Sequence, residues 1–187
     1  AVAGRHNVRN ALAAATCALA AGAPLDAIGR GLEAFEPVKG RSRALSLNLG
    51  GHALTVVDDS YNANPDSVRA AIEVLAELPA PRLLVLGDMG EVGEQGPGFH
   101  AEVGALARDR GLEQIFTLGT LAEHVARQCP AARHFGDMPD LLAAVQDALP
   151  GVASVVVKGS RFMKMERVVD AIVRLATEQQ GGGVHVA

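Results

Sequence analysis

From Pro65 onward, short runs rich in Val, Leu and Ile alternate with stretches whose apolar residues recur at helical spacing. That alternation leaves few folds open. Short strands separated by helices cannot pair as hairpins; each connection must cross over a sheet face, so the strands run parallel and helices cover both faces. The spacing predicts strands at 82–87, 114–118, 133–136 and 153–158, with helices near 65–78, 98–110, 120–128, 139–148 and 161–178. Upstream, Ala44–Leu49 and His52–Asp58 flank Gly50-Gly51, which suits a turn needing positive φ, so a β-hairpin opens the unit. The expected class is α/β, with a Rossmann-like, mostly parallel sheet.

The first 36 residues read differently. His6-Asn7-Val8-Arg9-Asn10 leads into an alanine-rich helix, Ala11–Ala21, closed by Gly22-Ala23-Pro24. Leu25–Phe35 forms a second amphipathic helix. Two helices without a sheet look like the end of a larger domain that begins upstream. The expected division is residues 1–38 as those helices, 39–178 as the α/β domain and 179–187 as a Gly-rich mobile tail. Gly40-Arg41-Ser42-Arg43 is the junction, and Pro37–Arg41 the expected hinge.

Composition removes several function classes. An apolar share of 49% supports a sizeable core, and 20% charged residues argue against wholesale disorder. Aromatics make up 3% with no Trp, too few for a platform that stacks single-stranded nucleic acid. A net charge of −4 gives no reason to expect a polyanionic partner. The two cysteines, Cys17 and Cys129, lack C-x-x-C or metal-ligand spacing, so no resident metal is expected on them. No run approaches the roughly 18 apolar residues of a membrane span, and no signal arrangement opens the chain. A cytoplasmic chain is expected.

Polar groups cluster at the ends of the predicted strands, where ligands bind in open α/β sheets. Asp58-Asp59-Ser60-Tyr61-Asn62-Ala63-Asn64-Pro65-Asp66-Ser67 links a strand to a helix and carries carboxylates and amides able to grip hydroxyls, a base edge or an ammonium. A capped turn, with Asn64 or Asp66 capping behind Pro65, fits the same residues. Gly87-Asp88-Met89-Gly90-Glu91-Val92-Gly93-Glu94 is a glycine-dense acidic loop, either a close-approach site or a turn. His100 follows on the next helix, where a structural or solvated role is the commoner one. Lys158-Gly159-Ser160-Arg161 falls at a predicted helix start, a place that favours an anion, or merely an N-cap at Ser160. No G-x-x-x-x-G-K-[ST] loop, nucleophile elbow or H-E-x-x-H occurs. The residues alone describe a ligand-binding α/β domain with an incomplete active site.

Taken in order, His6–Ala14, Gly40-Arg41, Asp58–Pro65, Gly87–Glu91 and Lys158-Gly159-Ser160-Arg161-Phe162-Met163 resemble the Mur ligases, ATP-dependent amide ligases of peptidoglycan precursor synthesis. The resemblance implies a three-domain protein whose last central-domain helices and C-terminal domain are present here. The phosphate loop, the magnesium-binding acid and a modified lysine would lie upstream. It implies ATP and Mg²⁺ as cofactors, UDP-MurNAc-tripeptide and D-Ala-D-Ala as substrates, and a monomer. By the same resemblance Asn7 and Asn10 would meet the adenine, and Asp58 or Asp59 the ribose hydroxyls, with Tyr61, Asn62 and Asn64 nearby. Arg41 would reach the phosphates, while Lys158, Ser160, Asp88 and Met89 would receive the dipeptide and the tripeptide end. The alternative is a stand-alone nucleotide- or anion-binding module without catalysis.

Overall fold

The computed structural model describes residues 5–36 and 38–181 of the chain. Two helices come first, α1 (Arg5–Ala20) and α2 (Leu25–Glu33). The hairpin strands β1 (Arg43–Leu49) and β2 (His52–Asp59) follow, then α3 (Pro65–Ala76), β3 (Arg82–Gly87), α4 (Gly96–Asp109), β4 (Gln114–Leu118) and α5 (Glu123–Gln128). β5 (Ala132–Phe135), α6 (Met138–Ala148), β6 (Ser154–Lys158) and α7 (Glu166–Gly181) complete the order. The six strands form one sheet in the order β1-β2-β6-β3-β4-β5. Only β1 and β2 pair antiparallel; the remaining pairs are parallel, as the strand–helix alternation predicts.

Alternate residues of the central strands face opposite sides, so each strand feeds two cores. On one face Leu83, Val85, Val155 and Val157 pack with Leu141 and Val145 of α6 and Val168 and Ile172 of α7. On the other, Leu84, Leu86 and Val156 pack with Ile72 and Leu75 of α3, Val103 of α4 and Val125 of α5. Burial on both faces explains why strands such as Val155-Val156-Val157 are continuous apolar runs rather than alternating ones.

Several boundaries differ from the sequence expectation, three of them at the polar motifs or the tail. α1 begins at Arg5 rather than Ala11. This puts Asn7 and Asn10 one turn apart on one face, where Asn10 Nδ2 donates to Asn7 Oδ1 at 3.3 Å. The helix expected from 161 begins at Glu166: Arg161–Met163 is a single 3-10 turn, and Lys164 takes a left-handed φ of 52° that breaks the run. Finally α7 continues through 179–181, which the sequence assigned to a mobile tail; residues 182–187 lie outside the described residues.

Candidate active site

Strands β2, β6 and β3 end side by side, with Lys158 in register with Asp59 on one neighbour and Leu86 on the other. The three loops that follow carry the polar motifs. They therefore meet at the carboxyl edge of the sheet, where β6 is inserted between strands that are earlier in the chain.

The two aspartates have separate tasks. Asp58 is 1% exposed, and its carboxylate accepts from Gly40 N at 3.0 Å, Ser60 N at 3.2 Å and Ser60 Oγ at 2.6 Å. Asp59 accepts from Ser42 N at 2.9 Å and pairs with Lys158 Nζ at 2.5 Å, while lining the cleft in front of the sheet. Together with Tyr61 N donating to Gly40 O at 3.0 Å, these bonds strap residues 40–42 to the end of β2. Within the expected hinge at Pro37–Arg41, Gly40 is thereby tied to the sheet, and Pro37 is outside the described residues.

Lys158 is 2% exposed, and its ammonium also donates to Asn62 O at 2.8 Å. A buried cation survives only with such partners. Because no α-helix starts at 161, the helix-dipole reading of the Lys158–Arg161 segment does not hold. Ser160 Oγ instead accepts from Gly90 N at 2.5 Å and donates to Ala63 O at 3.2 Å, while Ser160 N donates to Asp88 O at 2.9 Å. One buried serine thus joins all three loops.

The Gly87–Glu91 loop is held from behind. Asp88 Oδ1 accepts from Ala122 N at 2.7 Å, and Met89 is fully buried. His100, also buried, accepts from Met89 N through Nε2 at 2.9 Å and contacts Gly96 O through Nδ1 at 2.7 Å. Those partners require a neutral ring protonated at Nδ1, and burial accordingly pushes its pKa down. His100 is a bracket for the loop, the role the sequence reading held commoner.

A cleft of about 410 Å³ lies between this edge and α1. Asn7 and Asn10 line it from α1, Phe35 and Val38 from the connecting segment, and Arg41, Asp59, Tyr61, Asn62, Asn64 and Lys158 from the sheet domain. Arg41 lies 4.3 Å over the Tyr61 ring, a cation–π contact that leaves its guanidinium exposed to the cleft. Asn64 spends its side-chain oxygen capping α3, accepting from Ser67 N at 2.8 Å, so the capped-turn and cleft-lining readings both describe it.

The structure thus gathers Asn7, Asn10, Arg41, Asp59, Tyr61, Asn62, Asn64 and Lys158 on one cleft. It sets Asp58, Asp88 and Met89 behind the surface, in the framework, while Ser160, itself buried, reaches the lining of a smaller cleft. Two smaller clefts of about 260 Å³ adjoin Tyr61 on its other sides, and both include Arg161. Sequence reading placed Arg161 only in an anion-favouring run, Phe35 only at the end of an amphipathic helix, and Val38 only within the expected hinge. Among the described residues no group of three or more His, Cys, Asp and Glu is placed to hold a metal ion.

A doubly covered, mostly parallel sheet with polar loops gathered at its carboxyl edge is the architecture of a ligand-binding α/β domain. Residues 40–161 match the Mur ligase, glutamate ligase domain, and the chain belongs to the Mur ligase family. It is 40% identical over 171 residues to the UDP-N-acetylmuramoyl-tripeptide–D-alanyl-D-alanine ligase of Escherichia coli (strain K12), covering 90% of this chain and 37% of that protein. The ligase of the same name from Bacillus subtilis (strain 168) is 33% identical over 179 residues, covering 91% of this chain and 38% of that protein. The crystal structure of MurF from Acinetobacter baumannii superposes with a TM-score of 0.79 at 34% identity, over 91% of this chain and 38% of that one. The chain thus spans well under half the length of the curated relatives it matches.

Proposed function

We propose that this chain is the nucleotide-closing and acceptor-binding part of an ATP-dependent ligase that joins D-Ala-D-Ala to UDP-MurNAc-tripeptide, acting in the cytoplasm as a monomer. The observation that carries the reading is the convergence of the β2, β3 and β6 loops on Tyr61, with the large cleft on one side and the smaller clefts on the others. Both substrates of a two-step ligation can then sit on either side of one wall. In this reading residues 1–38 end one domain, and 39–178 form the next.

In the large cleft, Asn7 and Asn10 offer carboxamides to an adenine edge, and Phe35 and Val38 offer an apolar wall to its face. Asp59, the aspartate that lines the cleft, accepts from ribose hydroxyls; Asp58 acts indirectly by holding Gly40. Tyr61, Asn62 and Asn64 complete that side, and Arg41 reaches the phosphates. Lys158 keeps Asp59 in place, and Ser160, Asp88 and Met89 shape the acceptor loops from below.

The chemistry follows from charge. A carboxylate is a poor acyl donor, so its oxygen first takes the γ-phosphoryl group of ATP, releasing ADP. The free amine of the dipeptide then attacks the acyl carbonyl, loses a proton, and the tetrahedral intermediate expels phosphate. Fixed cations such as Arg41 stabilise the phosphoryl charge, and closure of the cleft keeps water from the acyl phosphate. Mg²⁺ chemistry belongs with residues outside this chain.

The test is phosphate release with ATP, Mg²⁺, UDP-MurNAc-tripeptide and D-Ala-D-Ala, comparing this chain with the complete protein its gene encodes. Dipeptide-dependent release from the complete protein supports the reading. A complete protein silent with every tripeptide would leave a binding module without catalysis.

A further inference from the structure

We propose that Tyr61 is a positioning residue for the ligation: its ring is the platform that holds the Arg41 guanidinium ready for the phosphates of the nucleotide. The inference rests on the ligase reading above and deepens it. There Tyr61 only lines the cleft, whereas here it acts through Arg41.

Arg41 needs such support. It is exposed, and among the described residues the Tyr61 ring, 4.3 Å from its guanidinium carbon, is the one partner of its side chain. A long cation without a partner samples many rotamers, and every turnover must then order it against the phosphoryl charge. Contact with an aromatic face removes much of that freedom in advance. Unlike a carboxylate partner, the ring neutralises no charge and takes up no N–H donor. The guanidinium therefore stays free for phosphate oxygens.

The platform is fixed at its base and open at its ring. Tyr61 N donates to Gly40 O at 3.0 Å, directly before Arg41 in the chain. Gly40 holds a φ of 82°, and a Cβ there would stand 3.1 Å from both Tyr61 Cβ and Tyr61 N, so glycine lets the two segments touch. On either side of Tyr61 the backbone is also bonded: Ser60 N donates to Asp58 at 3.2 Å, and Asn62 O accepts from Lys158 Nζ at 2.8 Å. The residue nevertheless remains 41% exposed. A second cation, Arg161, lies over the same ring with its guanidinium carbon 5.8 Å from the centroid. That is close to the outer limit of about 6 Å for such contacts, and Arg161 has another partner in Glu166 Oε1 at 2.9 Å. Distance and partner supply both make the ring matter more to Arg41.

The experiment is a double-mutant cycle in steady-state kinetics of the complete protein with ATP, Mg²⁺, UDP-MurNAc-tripeptide and D-Ala-D-Ala. Tyr61→Leu, which keeps bulk but removes the π face, should lower kcat by roughly 3- to 30-fold, the range of a cation–π contact. The loss should fall on kcat rather than on the KM for ATP, with a thermal midpoint near that of the wild type. Tyr61→Phe keeps the ring and should recover most of the loss. Added to Arg41→Ala, Tyr61→Leu should cost nothing further. Tyr61→Met gives the same comparison should Tyr61→Leu not fold. Additive losses would mean that Tyr61 meets a ligand directly, and would overturn the proposal. Equal losses in Tyr61→Phe and Tyr61→Leu, or a kcat unmoved by Tyr61→Leu, would overturn it as well. All three outcomes leave ligation measurable and the ligase reading standing. A complete protein silent with D-Ala-D-Ala and every tripeptide would take down that reading and the proposal with it.

Discussion

Single side chains at this site are spent on holding loops as much as on meeting ligands. Lys158 and Asp59 are the sharpest case, a near-buried pair linking β6 to β2. Lys158→Met should destabilise the chain by about 3 kcal/mol, because it leaves a poorly solvated carboxylate behind. Adding Asp59→Asn should recover part of that loss, a coupling that urea unfolding of the two single variants and the double variant would measure. His100 gives a pH-dependent counterpart. Its folded pKa lies below its unfolded value of about 6.5, so the unfolded chain binds the proton more readily. The stability from the neutral ring is complete above that unfolded value and is lost as pH falls towards the lowered folded one. Urea midpoints should therefore drop between about pH 7 and 5, and His100→Gln should flatten that slope; parallel slopes in the two chains would reject the assignment.

At the scale of elements, close approach decides what propensity cannot. Gly104 lies inside α4, where alanine would ordinarily favour the helix by up to about 1 kcal/mol. A Cβ there would stand 2.6 Å from Val125 O of α5, so the two helices pack through the missing side chain. Gly104→Ala should consequently destabilise by roughly 1–3 kcal/mol, read as a lower thermal midpoint. The start of α3 works the opposite way, through a local bond set. Asn64 accepts from Ser67 N while Ser67 Oγ accepts from Asn64 N at 3.0 Å, a reciprocal cap. Asn64→Ala should cost about 1 kcal/mol of stability in urea unfolding, and should also shift the Asn62–Asn64 wall of the cleft. A change in nucleotide affinity without a change in stability would separate the two roles.

For the whole molecule, α1 and α2 are the loosely held part. Val8, Leu12, Leu19, Leu25 and Leu32 are all exposed, and α2 buries no residue. Their tie to the sheet runs through the segment strapped at Gly40–Ser42, with Arg41 at its tip. A guanidinium so placed can engage a ligand as the two parts close while contributing little to either core. Arg41→Ala in the complete protein should therefore lower kcat by at least about tenfold, the loss of one strong charged contact, with the thermal midpoint nearly unchanged. Equal turnover in the two proteins would remove Arg41 from the proposed chemistry.

The parallel sheet, its opening hairpin and the pairing of strand ends with polar loops were legible in the sequence, because period and turn chemistry are local properties. The residues that line the cleft were legible mainly as a set: Asp58 and Asp59 look alike in sequence, as do Lys158 and Arg161. Which aspartate faces the cleft depends on the pleat of β2 and on the backbone of Gly40, eighteen residues earlier in the chain. Which cation stays exposed depends on β6 lying between β2 and β3, which buries Lys158, while Arg161 falls in the 3-10 turn that ends at the left-handed Lys164. Local pattern determined the elements and the kinds of chemistry they carry. Only strand order and burial decided which identical-looking groups are framework and which can meet a ligand, since desolvation and partner supply are properties of the packed molecule.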